Sequence, residues 1–338
     1  MNEKPLRICV VGAGDLGSVH ARHWANVPEA QVVAVVDKQA ERASRLADEL
    51  GLDRFYTDYQ AAVDRSDVNV VSVCIPTCFH PEVSIYAAGQ GKHVFSEKPI
   101  ALTLEAAEAM QAAARQHKVK FGVGLMRHHS PVMADLKQRI TAGQFGRPLL
   151  YFASDIREIR PKREMHDRNA NGGPIIDMGV HYFETCANLF DAPPVEVFAQ
   201  GFTFALNRPE IAHIKEKAID TATITVKYAA GDVATLLLSW GVAPKVVPPP
   251  LPEQIIGPNG VVYAAFGPIQ HTRWLPEGGE WQELCRCETS MYALEISDFA
   301  RCILEDRPPA VDGEPAKAAL RVALATLESI RAGRPVPL

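Results

Sequence analysis

The sequence predicts an α/β protein: a doubly wound parallel sheet over residues 1–125, followed by an α+β domain over 126–338 with an open, mostly antiparallel sheet. Three observations predict it. Short, apolar, β-branched runs alternate with amphipathic helical segments through the first part of the chain. A glycine-rich turn, Gly12-Ala13-Gly14-Asp15-Leu16-Gly17, joins the first such run to the first helix. In the second half the strand-like runs lengthen, alternate, and follow one another with little helix between them.

The run Leu6-Arg7-Ile8-Cys9-Val10-Val11 reads as a buried strand, and the segment from the glycine turn to about Asn26 as a helix. A second strand, 32–36, ends at Asp37, and the helical run 39–50 stops at Gly51, where a glycine belongs after a helix. The third strand is 70–75, halted by Pro76. Helix 80–90, a strand around 93–95, helix 103–117 and strand 120–124 continue the alternation. In the second half the expected strands are 148–157, 195–204, 219–229, 232–241, 260–266, 270–274 and 280–286, with helix 174–190 lying against them. Residues 245–252 form a proline-rich loop, and the tail is helical over 290–305 and 314–332, able to pack back on the first domain. There is no internal repeat.

A length of 338 residues suits two domains, and 47% hydrophobic against 22% charged residues is ordinary for globular chains with sizeable cores. Lys+Arg 35 against Asp+Glu 40 leaves a net charge of -5, with no basic excess to grip nucleic acid or an anionic membrane. The seven cysteines are scattered without zinc-like spacing, so reduced thiols and no metal are expected. No run approaches the roughly 18 apolar residues of a membrane span. A soluble, cytoplasmic protein is expected.

The glycine turn carries the first chemistry. In Gly12-x-Gly14-x-x-Gly17 the first glycine turns sharply, the second lets backbone approach a pyrophosphate, and the third lets helix and strand pack closely. The helix N-terminus then offers N–H groups and its positive dipole end to the phosphates. Asp37 stands 20 residues beyond the last glycine. A carboxylate there accepts hydrogen bonds from both ribose hydroxyls and repels a 2′-phosphate, which favours NAD over NADP. Lys38 beside it tempers the preference.

Ser96-Glu97-Lys98-Pro99 follows the fourth strand, at the carboxyl ends of the strands where ligands of such folds sit. Alone, the tripeptide Glu97-Lys98-Pro99 is an ordinary solvated turn. Further on, Gly172-Gly173-Pro174-Ile175-Ile176-Asp177-Met178-Gly179-Val180-His181 places Asp177 and His181 at i and i+4 of one expected helix, on one face. An acid and a base on one face after a glycine-rich turn point to chemistry rather than to a surface pair.

Taken together, these strings resemble the Gfo/Idh/MocA oxidoreductase family, the glucose-fructose oxidoreductase and inositol dehydrogenase group. The resemblance covers nearly the whole chain: residues 12–17, Asp37, Ile75-Pro76-Thr77 with His80, Glu97-Lys98-Pro99, 172–181 and 298–336. One departure is Asn171 before Gly172, where many relatives carry a third glycine. The resemblance implies a Rossmann domain, a second domain whose open sheet often forms a subunit interface, giving a homodimer or homotetramer, and a sugar or cyclitol bound between the domains. It implies that Lys98, Asp177 and His181 are the catalytic lysine, aspartate and histidine, and that the Lys98-Pro99 peptide is cis. Oxidising a secondary alcohol needs a base for the O–H proton, and imidazole titrates near neutral pH. His181 is the expected base, Lys98 the stabiliser of alkoxide charge, and Asp177 the group that holds a neighbouring hydroxyl or orients the histidine.

The expected cofactor site comprises Gly12, Gly14, Asp15, Leu16, Gly17, Asp37, Lys38, Pro76, Thr77, His80, Glu97, Lys98 and Arg127, with Pro76, Thr77 and His80 on the nicotinamide side. Lys98, Arg127, Asp155, His166, Asp177 and His181 are the expected substrate contacts, with Arg157 beside them. His20 and His23 are read as packing residues, and Trp240, His271 and Tyr292 as core. Substrate choice is expected to lie in the 157–171 and 242–255 loops. The function this gives is an NAD-dependent dehydrogenase converting a ring hydroxyl of a sugar or polyol to a ketone, or the reverse. Two alternatives are an NADP-linked keto-sugar reductase, tested by comparing NAD and NADP affinities, and a catalytically silent cofactor-binding regulator, tested by turnover on a broad sugar panel.

Overall fold

The computed structural model describes residues 6–243 and 245–338; residues 1–5, and Pro244 in the 242–255 loop, lie outside the described residues. The chain divides into two compact units. One takes in the residues through Met126 together with Ser290–Lys317, the other Arg127–Thr289 and Ala318–Leu338.

The first unit is built on β1 (Leu6–Val11), β2 (Ala30–Val36), β3 (Val70–Val73), β4 (His93–Glu97) and β5 (Phe121–Gly124). They form one parallel sheet in the order β2-β1-β3-β4-β5. All four residues of β3 and of β5 are buried, which is why these strands read as unbroken apolar runs. Helices Asp15–Ala25, Ala40–Glu49, His80–Gly89 and Leu104–Gln116 alternate with the strands. Thr103 caps the last of these by accepting the Ala106 N–H. Helix Met291–Leu304 joins the same core: Ile296 and Phe299 pack with Ile8, Val10, Trp24, Val35 and Phe95, and the Phe95 and Phe299 rings lie 5.1 Å apart.

Two strands of this sheet end at residues other than those expected. β3 ends at Val73 rather than Ile75, and the chain passes Pro76 into a short 3-10 turn, Thr77–Phe79. β4 runs past Phe95 to Glu97, because Glu97 still pairs with Gly124 and its carboxylate finds a buried partner in His20. A short helix at Tyr59–Val63 was not expected.

The second unit holds β6 (Leu150–Glu158), β7 (Pro194–Phe202), β8 (Thr221–Tyr228), β9 (Val233–Val242), β10 (Glu253–Gly257), β11 (Gly260–Phe266), β12 (Gln270–Pro276), β13 (Gln282–Cys287) and β14 (Val336–Pro337). The nine strands run in the order β13-β12-β11-β10-β6-β9-β8-β7-β14. β6 and β9 pair in parallel, and the remaining neighbours are antiparallel. On β8, Ala222, Ile224, Val226 and Tyr228 are buried while Thr223 and Lys227 are exposed, the pattern of a half-buried strand.

This unit differs from the expectation in both its helices and its strands. The 174–190 segment is two helices, Gly173–Asp177 and Gly179–Phe190, divided at Met178. β10, β14 and helix Pro131–Thr141 were not foreseen. Among the described residues, no helix is long and apolar enough to cross a membrane.

Candidate active site

The glycine turn after β1 sorts its three glycines by what a Cβ would meet. Gly12 has a φ of +103°, and a Cβ there would lie 2.2 Å from the Cys74 carbonyl oxygen. A Cβ on Gly17 would lie 1.7 Å from the Gly12 carbonyl oxygen, so helix and strand close on each other here. Gly14 meets nothing within 4 Å. The outer two glycines serve the fold, and the middle one leaves space beside the backbone, as a diphosphate requires. Gly14 is the N-cap of helix Asp15–Ala25, whose first i→i−4 bond runs from the Ser18 N–H to the Gly14 carbonyl at 2.9 Å. The first-turn N–H groups, including those of Leu16 and Gly17, precede that ladder at the positive end of the helix. Asp15 is exposed and Leu16 half-buried.

Asp37 closes β2 half-buried. Its Oδ2 accepts the Ala13 N–H at 2.9 Å and its Oδ1 the Gln39 N–H at 2.8 Å. A carboxylate has about four lone-pair sites, so each oxygen keeps capacity for a ribose hydroxyl. Lys38 is exposed, with Nζ 4.7 Å from the centroid of the Phe79 ring. The open space at Gly14 and the carboxylate at Asp37 fit an adenine dinucleotide.

The ends of β3 and β4 carry the next group. Pro76 is exposed, while Thr77 and His80 are each 1% exposed. Glu97 is buried; its Oε1 lies 2.9 Å from His20 Nε2, and its Oε2 accepts the Lys98 backbone N–H at 3.0 Å. His20 Nδ1 in turn meets Ser72 Oγ at 3.1 Å. His20 therefore does more than pack: it anchors the residue that holds the backbone of Lys98. Burial opposes charge on His20, but Cys74 and Glu97 outweigh it and raise its pKa well above the usual imidazole value. Burial likewise opposes ionised Glu97, and the His20 contact wins, lowering its pKa. The Lys98-Pro99 peptide is cis.

In the second unit Asp177 and His181 are each 4% exposed. Asp177 ends one short helix and His181 lies in the first turn of the next, so the expected single helix face is replaced by a break between them. The His181 N–H turns back to the Met178 carbonyl at 3.1 Å, an i→i−3 bond. Asp155 accepts the Arg157 Nε–H at 2.6 Å and the Trp240 Nε1–H at 3.1 Å. His166 is buried, and its Nε2 accepts the Arg160 N–H at 2.9 Å; burial lowers its pKa, which keeps the acceptor nitrogen bare. Arg160 lies over the Trp240 ring.

Arg127 is 6% exposed, and its guanidinium is engaged by Glu253 at 2.8 and 3.1 Å, between the rings of Tyr182 and Phe266.

Within the first unit the structure thus gathers the glycine turn, Asp37, Thr77, His80, Glu97 and Lys98 at the carboxyl ends of β1 to β4. Within the second it groups Asp155 and His166 around Trp240. Sequence reading did not single out Ser72, Arg160, Glu253 or Glu295. Glu295 left a signal: on helix Met291–Leu304 it sits on the apolar stripe with Met291, Phe299 and Cys302, all buried.

Residues 6–125 match the oxidoreductase family with an NAD-binding Rossmann fold, and residues 133–262 match the GFO/IDH/MocA C-terminal domain. The chain is 30% identical to scyllo-inositol 2-dehydrogenase (NAD(+)) of Bacillus subtilis, over 99% of this chain and 97% of that protein. It is 27% identical to myo-inositol 2-dehydrogenase of Thermotoga maritima, over 98% of each. A crystal structure of myo-inositol 2-dehydrogenase from Lactobacillus plantarum superposes with a TM-score of 0.81 at 25% identity, covering 99% of this chain and 100% of that one. The chain belongs to the Gfo/Idh/MocA oxidoreductase family, and its N-terminal part is an NAD-binding Rossmann domain.

Proposed function

We propose that the protein is an NAD-dependent dehydrogenase that oxidises a secondary ring hydroxyl of a cyclitol or sugar to a ketone, or runs the reverse reaction. The observation that carries the reading is similarity along the whole chain to an NAD-dependent inositol dehydrogenase. Lys98, Asp177 and His181 stand at the motif positions that the chemistry needs. NAD, when bound, supplies the hydride acceptor at nicotinamide C4.

The chain's own residues supply the rest. His181 takes the hydroxyl proton as general base and returns it in reduction. Lys98 donates a hydrogen bond to the reacting oxygen and stabilises alkoxide charge, its backbone fixed by the Glu97 carboxylate. Asp177 accepts from a neighbouring hydroxyl or orients His181. Asp37 accepts from the ribose hydroxyls and refuses a 2′-phosphate. Substrates are read by the Asp155, Arg160, His166 and Trp240 group, and the protein assembles as a homo-oligomer through its open sheet.

The test is a panel of inositols, aldoses, sugar acids and nucleotide sugars with NAD and with NADP, followed at the nicotinamide absorbance. Turnover of at least one cyclitol or sugar, faster with NAD, is expected. No turnover with any member would favour a silent cofactor-binding regulator.

A further inference from the structure

The His80 ring meets two backbone carbonyls through different nitrogens. Nδ1 lies 2.8 Å from the Pro99 oxygen and Nε2 lies 2.8 Å from the Ile75 oxygen. A carbonyl oxygen only accepts, and a neutral imidazole carries a single N–H. One of the two contacts would then set lone pair against lone pair, at a side chain 1% exposed where water gives little relief. We propose that His80 is held as an imidazolium donating to both carbonyls, and that it is a positioning residue for Lys98.

The two carbonyls belong to different turns. Ile75 lies in the turn after β3, next to Pro76 and Thr77, and Pro99 directly follows Lys98 after β4. His80 opens helix His80–Gly89, so its backbone is fixed while its ring ties one turn to the other. The separation between the Lys98 turn and the turn expected on the nicotinamide side is thereby set by one cation. Its counter-charge lies in the same layer: the field of His80 is one of the influences that keep Glu97 ionised, after His20 and Lys98. Two buried features consequently converge on the Lys98 segment, the Glu97 carboxylate on the Lys98 N–H and the imidazolium on the Pro99 carbonyl.

The functional half of the inference rests on the reading of Lys98 given above; the charge on His80 does not. Neutron diffraction from deuterium-exchanged wild-type crystals with NAD, at a pD near 8, reads the charge directly. Deuterium on both ring nitrogens is expected, and a bare nitrogen on either side overturns the assignment. In steady-state kinetics, His80→Gln is expected to lower kcat about a hundredfold, the scale of a misplacement of about 1 Å, while NADH affinity falls by a smaller factor. Loss of NADH affinity with kcat intact would make His80 a wall of the cofactor pocket and overturn its positioning role. If His80→Gln does not fold, His80→Asn carries the same kinetic comparison, and the neutron map needs no variant. Wild-type turnover in Lys98→Ala would sink the reading of Lys98 and leave the neutron result standing, so the two failures are distinguishable.

Discussion

Asp37 Oδ2 accepts the Ala13 backbone N–H at 2.9 Å, so the carboxylate that ends the second strand also fastens the glycine turn. One side chain therefore combines a structural bond, which needs an oxygen, with a cofactor preference, which needs a charge.

Substitution separates the two. Asp37→Asn keeps an oxygen for Ala13 and loses the charge; Asp37→Ala loses both. Hydrogen bonds to charged groups contribute about 1.5–3 kcal/mol, or roughly ten- to a hundredfold in affinity. Fluorescence titration with NADH and NADPH should show the preference for NADH falling by about that factor in both variants. Asp37→Ala, which loses the bonds to both Ala13 and Gln39, should lower the melting temperature more than Asp37→Asn, which keeps one acceptor oxygen. Tighter binding of NADPH than NADH by the wild type would refute the argument.

The three glycines should part company in the same assays. Gly14→Ala adds a methyl group into open space and should leave thermal stability near that of wild type while weakening NADH binding. Gly17→Ala drives a methyl group into the Gly12 carbonyl and should impair folding itself. Equal NADH affinity in Gly14→Ala and wild type would mean that nothing approaches the backbone there.

For the catalytic reading, His181→Ala should lower kcat by about 10²- to 10⁴-fold, the usual span of a general base. Lys98→Ala should reduce kcat and kcat/KM together, as expected for a contact made in the transition state. Because the Lys98 backbone is held through its own N–H, the variant keeps the Glu97 bond, and circular dichroism should match wild type. Turnover within a factor of about three of wild type in either variant would exclude it from the chemistry.

Most of the first sheet was legible because its signals are local: apolar runs, a glycine turn, and an acid at a strand end. What was not legible depends on partners distant in sequence. The strand Glu253–Gly257 begins with an acid after a proline-rich loop, which reads as surface until Arg127, 126 residues away, neutralises it. The fourth strand was cut short at Phe95 because Glu97 looks like a turn residue; His20, 77 residues away, lets it be buried. The break at Met178 between Asp177 and His181 was invisible for another reason. Met178 itself keeps helical dihedral angles, φ −98° and ψ −37°, and an isolated glycine such as Gly179 is tolerated inside a helix, so neither residue announces the division.

The Arg127–Glu253 pair makes its own prediction. Removing one member of a buried pair leaves the other charge uncompensated, at a cost of about 3–5 kcal/mol. Arg127→Met should show that loss in denaturant unfolding, eased in part by the hydrogen bond that Tyr151 still donates to Glu253. The double variant Arg127→Met with Glu253→Gln should recover much of it, as a coupled pair must. Additive losses would mean that the two groups do not stabilise each other.

Glu295 gives a pH-dependent prediction with a definite sign. It is 0% exposed, and both carboxylate oxygens are buried without a hydrogen-bond partner. Burial first, and then the negative charge of Glu97, raise its pKa well above the ordinary carboxyl value. A raised pKa means that the folded protein binds a proton that the unfolded chain releases at lower pH. This contribution to stability is complete below the ordinary carboxyl range and is lost as pH rises toward the folded-state value. Glu295→Gln is neutral at every pH and cannot show that loss. Its stability relative to wild type, from chemical denaturation at a series of pH values, should rise steadily from about pH 5 upward. Glu295 lies in one buried cluster with His20 and Glu97, so the difference reads the titration of Glu295 together with its effect on those two groups. A flat difference across that range would mean that the Glu295 carboxyl titrates in the folded protein as it does in the unfolded chain.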